Sequence, residues 1–381
     1  MTKILISCGE VSGDIYAGAL TSELVKLDSR AQVFGLGGEQ MVAAGARLIG
    51  HYRGLSVTGL SEALAVLPRS LVMYRRLVDT MRKNRPDVLV TVDFPDFNFW
   101  LAAAARRLGI PVVYYVSPQV WAWRRGRLRT LKQLVDRMLV IFPFEEEVYR
   151  NAGIPVEFVG HPLVDLAESR TARTTLLLEL GLAPRAPTVT LLPGSRPNEV
   201  RRLLPILFEA ARITATRVPE VQFILARAPN LEDSLFSSLM RRREPWCPAV
   251  IEARTDDALS AADVVATASG TATVQAAIHG RPMVIVYRVS PLTYAIGRRF
   301  VRVDNYGMVN LIAGGPIVPE LIQERCTASA VAEEIVCYLT DHDRMNQTKA
   351  SLQIVRERLG GSGASHRAAQ AVLKVASGSR R

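Results

Sequence analysis

Short apolar runs alternate along the first half of the chain with stretches whose apolar positions recur at helical spacing. The runs are apolar throughout rather than alternating, and continuous apolar strands between helices indicate a parallel sheet covered on both faces. Polar residues, prolines and glycines mark the ends of the runs. The predicted strands are Lys3–Ser7, Gln32–Leu36, Val88–Val92, Pro111–Val116 and Arg137–Phe142, and the predicted helices are Asp14–Leu27, Glu39–Ala44 and Phe99–Leu108.

The same pattern starts again after a proline-marked linker at Ala183–Pro187, and the stretch Ser329–Ala376 is mostly helical. We therefore expect an α/β fold of two doubly wound, Rossmann-like domains facing each other across a cleft, with ligands at the carboxyl ends of the strands. The domains cover residues 1–182 and 183–340, and C-terminal helices over 341–381 pack back on the first domain or on a partner subunit. The second set of predicted strands is Thr188–Leu192, Val221–Ala226, Val250–Ala253, Ala261–Ala266 and Met283–Tyr287, with helices at Glu199–Ala215 and Ala272–His279.

Length and composition agree with two globular domains. The chain has 381 residues, of which 49% are hydrophobic, and at about 100–200 residues per domain it can bury two cores. Its four cysteines form no C-x-x-C pair, which fits a reducing, cytoplasmic compartment. The first apolar run is short and followed by acidic residues, so it predicts a strand rather than a signal peptide, and no uncharged stretch is long enough to cross a membrane.

The net charge of +11 is compatible with nucleic acid, an anionic membrane surface or an anionic substrate. A nucleic-acid-binding protein needs a basic face with interleaved stacking aromatics, whereas here the arginines are dispersed and aromatics are 7% of residues. The segment Val66–Arg85 mixes apolar and basic residues. It either docks on anionic lipid or forms a solvated helix with an apolar inner face.

Several well-known signatures are absent from the sequence: there is no G-x-x-x-x-G-K-[ST], no H-E-x-x-H and no G-x-S-x-G. The histidines have no metal-ligand partners at suitable spacing, so we expect neither a metal site nor a cofactor. His161, in Gly160–Asp165 (GHPLVD), is expected to be a satisfied structural histidine.

Polar segments follow the predicted strands of the first domain. In Gly9–Asp14 (GEVSGD) the glycines let the backbone approach an anion, or alternatively Ser12 or Asp14 caps the next helix. In Asp93–Asn98 (DFPDFN) a carboxylate directly ends an apolar strand among aromatics. Partial desolvation suits such a group to proton abstraction, which makes Asp93 the candidate general base.

A third polar segment, Ser117–Arg124 (SPQVWAWR), carries two tryptophans beside an arginine. It covers a sugar face or an acyl chain, or it packs on the domain edge. Asp96 and Asn98 likewise either contact a ligand or cap the following helix. The candidate residues for the acceptor and donor sugars are Glu10, Ser12, Gly13, Asp14, Asp96, Asn98, Gln119 and Trp121.

Two amide-rich turns in the second domain suggest a bound diphosphate. The turn Leu192–Arg196 (LPGSR) exposes amides, and its arginine can hold a phosphate through two hydrogen bonds. Ser269–Thr273 (SGTAT) opens a helix in the same domain. Each turn alone is equally well explained as an ordinary connection. The candidate phosphate-binding residues are Gly194, Ser195, Arg196, Ser269, Gly270 and Thr271.

Taken together, the ordered motifs resemble those of the lipid-A-disaccharide synthases. The resemblance runs from about residue 4 to residue 325 and thinly beyond. It implies a metal-independent, inverting GT-B glycosyltransferase that joins two acylated glucosamines at the cytoplasmic face of the bacterial inner membrane, as a homodimer. It assigns Asp93 as the base and Gln275 and Asn310 to the nucleotide. The motifs are GEVSGD, VDFPDFN, SPQVWAWR, FPFE (142–145), GHPLVD, LLPGSR, SGTAT and NLIAG (310–314).

The sequence departs from the family pattern at two places. The family usually has a glutamate where this chain has Gln275, so one charge-assisted hydrogen bond to the ribose hydroxyls is weakened. The segment around Asn310 also differs. Two alternatives therefore stay open: another UDP-sugar enzyme of GT-B fold, such as a 2-epimerase or a different glycosyltransferase, and a degenerate, non-catalytic homologue.

Overall fold

The computed structural model describes residues 1–55, 60–119, 126–229, 231–236, 244, 246–289, 294 and 305–378. The chain divides into two compact units, one formed by Met1–Pro162 with Leu359–Arg381 and the other by Leu163–Arg358. The division differs from the expected boundary at 182/183 because residues 169–171 are bound to the second unit. There the Asp257 carboxylate accepts hydrogen bonds from the backbone amides of Arg170 and Thr171, at 2.7 and 3.1 Å.

The first unit is built on a seven-stranded parallel sheet in the order β3-β2-β1-β4-β5-β6-β7. Its central strands β1 and β4 are buried on both faces, as their uninterrupted apolar sequences require. The strands are β1 Lys3–Cys8, β2 Gln32–Gly37, β3 Arg47–His51, β4 Val88–Val92, β5 Val112–Tyr115, β6 Arg137–Val140 and β7 Val156–Phe158. The helices are α1 Val11–Leu27, α2 Glu39–Ala43, α3 Leu60–Asn84, α4 Pro95–Arg107, α5 Arg127–Leu134 and α6 Pro143–Asn151.

The second unit repeats this plan with a six-stranded parallel sheet in the order β10-β9-β8-β11-β12-β13. Its strands are β8 Thr188–Leu192, β9 Gln222–Arg227, β10 Ala249–Glu252, β11 Val264–Ala268, β12 Met283–Tyr287 and β13 Glu320–Ile322. Its helices are α7 Leu163–Leu166, α8 Arg173–Glu179, α9 Pro197–Arg217, α10 Thr255–Ala261, α11 Thr271–Ile278, α12 Met308–Ala313, α13 Ala328–Thr340 and α14 His342–Arg358.

The last helix, α15 (Ala364–Gly378), belongs to the first unit and packs along α1. His366 Nδ1 lies 2.9 Å from a carboxylate oxygen of Glu23 on α1. The expected C-terminal segment 341–381 is therefore shared, since its first helix, α14, packs on α11 and α12 of the second unit.

Two helices begin earlier than the apolar pattern predicts. Helix α1 begins at Val11 rather than Asp14, and α4 begins at Pro95 rather than Phe99. In both cases the polar segment after the strand forms the first turn of the helix, where apolar periodicity gives no signal. The sequence pattern does not predict the short strands β3, β7 and β13, because each is partly exposed and lacks an apolar run.

Candidate active site

The first unit has a topological switch point between β1 and β4. These strands are neighbours, with Cys8 opposite Val92, and the chain continues from them toward opposite edges of the sheet. The turns after them therefore lie side by side, which is where open α/β sheets bind ligands. The two turns touch: a Cβ on Gly9 would lie 2.1 Å from the ring of Phe94, so only glycine fits beneath this ring.

Asp93 stands at this point with a strained and strongly held backbone. Asp93 and Phe94 have φ values of +44° and +50°, in the left-handed region that costs a non-glycine residue about 1–3 kcal/mol. The Asp93 amide donates to the carbonyls of Tyr115 and Val116 at 3.2 and 3.3 Å. Its carbonyl accepts from the Tyr114 hydroxyl at 2.8 Å, and burial, aided by the nearby Asp93 charge, raises the pKa of Tyr114 and keeps that donor protonated. Strain that is held in this way is typical of functional sites.

Asn98 is completely buried and forms a clamp, meaning that its amide joins the backbone at Ser7 to the backbone at Asp93. Its Nδ2 donates to the carbonyls of Asp93 and Ser7 at 2.7 and 3.2 Å, and its Oδ1 accepts from the Ser7 hydroxyl at 2.7 Å. The amide thus ties the end of β1 to the turn after β4. Asn98 was expected either to contact a ligand or to cap the following helix, and its side chain bonds the backbone at Ser7 and Asp93.

The expectation for Asp14 is also corrected. This residue is buried, and its carboxylate accepts hydrogen bonds from the amides of Gly38, Gln40 and Met41 at 2.7, 3.0 and 3.3 Å. It therefore caps the amino end of α2 from the neighbouring helix α1, and its carboxylate oxygens bond backbone amides within the fold. Burial and this carboxylate together raise the pKa of Tyr52 to about 12.

The remaining first-unit candidates lie around the same edge. Glu10 is the N-cap residue of α1, and Ser12 is half-buried. Gly13 is buried, and a Cβ atom at this position would lie 3.3 Å from Cys8 Cβ. The Asp96 side chain is 74% exposed, with a carboxylate oxygen 2.7 Å from Arg127 on α5. Gln119 is exposed at the end of the described loop, and Trp121 lies outside the described residues.

A buried glutamate that we assigned no role supports the loop after β5. Glu145, in the first turn of α6, is 1% exposed and accepts a 2.6 Å hydrogen bond from the Ser117 hydroxyl. Its other carboxylate oxygen accepts from the Phe142 amide, and the Tyr149 hydroxyl donates to the Pro118 carbonyl at 3.0 Å. The FPFE motif therefore anchors the start of the SPQ loop, a role that no local pattern reveals.

His161 is structural, as expected. It is 1% exposed and packs between the rings of Tyr16 and Phe142, with centroid distances of 5.9 and 5.2 Å. Its amide donates to the carbonyl of Leu359, which joins the end of the first segment to the returning C-terminal segment. Desolvation lowers the pKa of His161 to about 3.

This buried imidazole makes stability depend on pH. Below about pH 6.5 the unfolded chain binds a proton that the folded chain excludes, so stability falls as the pH falls. Between pH 7 and pH 5 we expect His161 to lower the free energy of unfolding of the wild type by about 2 kcal/mol. Urea unfolding at both pH values will show this loss in the wild type and in an exposed-site control, His342→Gln, but not in His161→Phe. Parallel pH dependence in wild type and His161→Phe would contradict the assignment.

The second unit has its own switch point, between β8 and β11. Leu192 lies opposite Thr267, and the chain leaves these strands toward opposite edges. The turn after β8 leads into α9 and the turn after β11 leads into α11, so two helix amino ends open on the same edge. Helix amino ends favour anions, because free backbone amides and the positive end of the helix dipole lie there. The structure thus brings the two predicted phosphate turns together.

The turn after β8 depends on glycine and carries a partly exposed arginine. Gly194 has φ +113°, and a Cβ there would lie 2.7 Å from a carboxylate oxygen of Glu199. Arg196 is the N-cap residue of α9, is 40% exposed, and lies 3.3 Å from the Glu199 carboxylate. Burial and the charge of Glu199 raise the pKa of Tyr287, at the end of the nearby strand β12. Ser195 is exposed beside the arginine.

In the turn after β11, Gly270 and Thr271 are exposed and Ser269 is half-buried. The Ser269 hydroxyl lies 3.5 Å from the carbonyl of Tyr306. Gln275 follows one turn into α11, and its Nε2 lies 3.1 Å from a carboxylate oxygen of Asp256. Within the described part of the chain, no group of three or more His, Cys, Asp and Glu side chains could hold a metal ion.

Asn310, which the resemblance assigned to the nucleotide, forms hydrogen bonds with the segment that leads into β13. It is fully buried; its Nδ2 donates to Val318 O and Glu320 Oε1, and its Oδ1 accepts from the amides of Ile317 and Val318. These four bonds occupy both donor and both acceptor positions of the amide, so Asn310 shapes the loop that leads into β13.

Comparison with solved structures identifies the class. The fold resembles UDP-GlcNAc 2-epimerase from Neisseria meningitidis bound to UDP-GlcNAc, with a TM-score of 0.68 and 14% identity over 98% of this chain and all of that one. It also resembles the calicheamicin glycosyltransferase CalG4, with a TM-score of 0.62 and 15% identity over 98% of both chains. The protein therefore has the GT-B fold of glycosyltransferases and nucleotide-sugar epimerases, which confirms the expected fold class.

Sequence comparison identifies the family within this class. A family model for lipid-A-disaccharide synthetase matches residues 4–375. The lipid-A-disaccharide synthase of Syntrophus aciditrophicus is 42% identical over 98% of this chain and 97% of its own, and that of Koribacter versatilis is 44% identical over 99% of both. The chain belongs to the lipid-A-disaccharide synthase family, and the resemblance based on its ordered motifs is confirmed.

Proposed function

We propose that the protein transfers 2,3-diacylglucosamine from UDP-2,3-diacylglucosamine to 2,3-diacylglucosamine 1-phosphate. The products are UDP and a β-1′,6-linked disaccharide 1-phosphate. Family membership supports the substrates and the reaction. The observation that supports the chemistry is the position of Asp93 at the switch point of the first unit. Its strained backbone is fixed there by hydrogen bonds to Tyr115 and Val116.

In the proposed inverting mechanism, Asp93 removes the proton of the acceptor 6-hydroxyl as this oxygen attacks C1 of the donor. The new C1–O bond forms on one face of the sugar while the bond to UDP breaks on the other. The departing diphosphate gains negative charge, which Arg196 and the amino ends of α9 and α11 stabilise. These groups supply positive charge at the phosphates, so the mechanism needs no metal.

Within this proposal the first unit holds the acceptor and the base, and the second unit holds the UDP-sugar. Gly194, Ser269 and Gly270 let the backbone approach the phosphates, and Gln275 contacts the ribose. The sugars lie along Glu10, Ser12, Gly13, Asp96 and Gln119, and Trp121 stays a candidate on the sequence alone.

Replacing Arg196 by alanine should raise the dissociation constant for UDP about 10- to 100-fold, as expected when a charged hydrogen bond is lost. Isothermal titration calorimetry measures this change directly. Arg212→Ala is the matched control, because Arg212 is 47% exposed farther along the same helix and pairs with Glu209. Unchanged affinity in Arg196→Ala would remove this residue from the phosphate site.

We further propose that the protein forms a homodimer.

We also propose that it acts at the cytoplasmic face of an anionic membrane. None of the described helices is long and apolar enough to cross a bilayer. Helix α3 exposes Leu67, Leu71 and Val72, at 40, 40 and 50%, and the exposed Arg75 lies one turn beyond Leu71. An apolar face with basic neighbours suits shallow contact with anionic lipid. Sedimentation with anionic vesicles, and equilibrium sedimentation without them, test the two proposals.

Product analysis tests the reaction itself. Purified protein is incubated in detergent with both acylated substrates, with EDTA present, and the products are identified by mass spectrometry. We expect a tetraacyl disaccharide 1-phosphate and one UDP per disaccharide. Binding of UDP without any disaccharide would instead support a changed donor or a non-catalytic homologue.

A further inference from the structure

Three polar side chains at the edge of the second unit form a connected chain. Gln275 Nε2 lies 3.1 and 3.3 Å from the two carboxylate oxygens of Asp256. His279 Nε2 lies 3.0 Å from one of the same oxygens. Gln275 and His279 are four residues apart and share one face of the helix that begins at Thr271, so both reach the same carboxylate.

The contact with Asp256 sets the orientation of the Gln275 side chain. An ionised carboxylate can only accept hydrogen bonds, so the glutamine must present its NH2 group to it. Because the carboxamide is planar, its oxygen then occupies the other arm, directed away from Asp256. Asp256 lies in the first turn of α10, and the same carboxylate also contacts His279.

Asp256, in the first turn of α10, lies at the ligand-binding edge of the sheet. Helix α10 follows β10 and helix α11 follows β11, and in a parallel sheet the carboxyl ends of all strands share one edge. The Asp256 side chain is 25% exposed and His279 is 12% exposed, so the contact is partly shielded from water. A shielded carboxylate can therefore control which end of the glutamine amide faces a ligand at this edge.

We propose that Asp256 is a positioning residue that directs the oxygen of Gln275 toward the ribose hydroxyls of the bound nucleotide. In this chain an Asp–Gln pair thus replaces the single glutamate of the family pattern. The negative charge lies on Asp256, which contacts Gln275, rather than on residue 275 itself. The proposal rests on the UDP site assigned above. It also implies that a glutamate at position 275 is unfavourable here, because it would place two carboxylates about 3 Å apart.

The first test compares two nucleotides, UDP and 2′,3′-dideoxy-UDP, which lacks both ribose hydroxyls, by isothermal titration calorimetry. We expect the wild type to prefer UDP about tenfold. Asp256→Ala should weaken UDP binding about three- to tenfold and leave dideoxy-UDP binding unchanged. Asp343→Ala, which removes an acidic residue from the first turn of α14 in the same unit, should change neither value. Equal weakening of both nucleotides by Asp256→Ala would reveal a merely structural role and overturn the proposal.

The second test exchanges the two groups and does not depend on an alanine variant that folds. Gln275→Glu alone should weaken UDP binding at least threefold, through repulsion of the two carboxylates. The double variant Asp256→Asn with Gln275→Glu restores an amide–carboxylate contact and should return to within about threefold of wild type. A double variant that shows only the sum of the single effects would overturn the coupling.

The same measurements separate this inference from the proposed function. If the wild type does not bind UDP, or if Gln275→Ala keeps the preference over dideoxy-UDP, the proposed nucleotide site fails and the inference fails with it. If Gln275→Ala removes the preference while Asp256→Ala keeps it, the inference alone is overturned. Thermal unfolding of every variant confirms that binding is measured on folded protein.

Discussion

Replacing Asp93 by asparagine will lower the rate of disaccharide formation by about 10³-fold, within the range of 10²–10⁴ for loss of a general base. Asparagine has nearly the same shape but cannot accept a proton at neutral pH. The backbone bonds that hold residue 93, to Tyr115, Val116 and Tyr114, do not involve its side chain and persist in the variant. UDP affinity should therefore change by less than about twofold, since the phosphate residues belong to the other unit.

Asp79→Asn is the matched control for this experiment. It makes the same chemical change in the same unit, at a side chain that is 60% exposed and paired with Arg82 on α3. Rates come from single-turnover product formation, and UDP affinity from calorimetry. An Asp93→Asn enzyme with near wild-type turnover would show that another group is the base. Equal loss of turnover and UDP binding would mean that Asp93 supports the fold rather than the reaction.

Replacing Asn98 by alanine will lower the free energy of unfolding by about 2–4 kcal/mol, because it removes three hydrogen bonds from buried polar groups. The Ser7 hydroxyl loses its acceptor, and the carbonyls of Ser7 and Asp93 each lose the donor that Asn98 supplies. The same clamp holds the strained turn at Asp93, and its loss lets this turn relax. Turnover should therefore fall at least tenfold under conditions where the variant is still folded.

Asn151→Ala is the control here, since Asn151 is exposed at the end of α6 and its loss should cost less than about 0.5 kcal/mol. Asn98→Asp should be at least as destabilising as Asn98→Ala, because a carboxylate cannot donate to carbonyl groups. Urea unfolding and turnover are measured on all three variants. A stable Asn98→Ala variant with normal turnover would show that this buried amide does not position Asp93.

Most of the strands and many of the helices follow from the sequence because their signal is local. Val88–Val92 and Thr188–Leu192 are mostly apolar and buried at every position, and such a run can satisfy both its backbone and its side chains only inside a covered parallel sheet. The position of Asp93 directly after such a strand was likewise predictable. Since ligands bind at strand ends in doubly wound sheets, this position alone made it a candidate.

The partner of each polar side chain was not predictable in the same way. Asp14 was expected at a ligand or at the start of its own helix, yet it bonds the amides of Gly38, Gln40 and Met41, at least 24 residues away. Asn310 was assigned to the nucleotide by resemblance, and its amide bonds Ile317, Val318 and Glu320. A sequence shows which groups can donate or accept, but not which of them the folded chain brings together.

The same distinction separates the two halves of the nucleotide site. Composition and spacing identify the turns at Gly194–Arg196 and Ser269–Thr271, because a glycine and the start of a helix are local features. The contact between Asp256 and Gln275 joins two helices that are separated by a strand, so only tertiary packing creates it. Local backbone preferences therefore determine where strands, turns and helix ends form, while hydrogen bonds between distant segments decide which side chains remain available for a substrate.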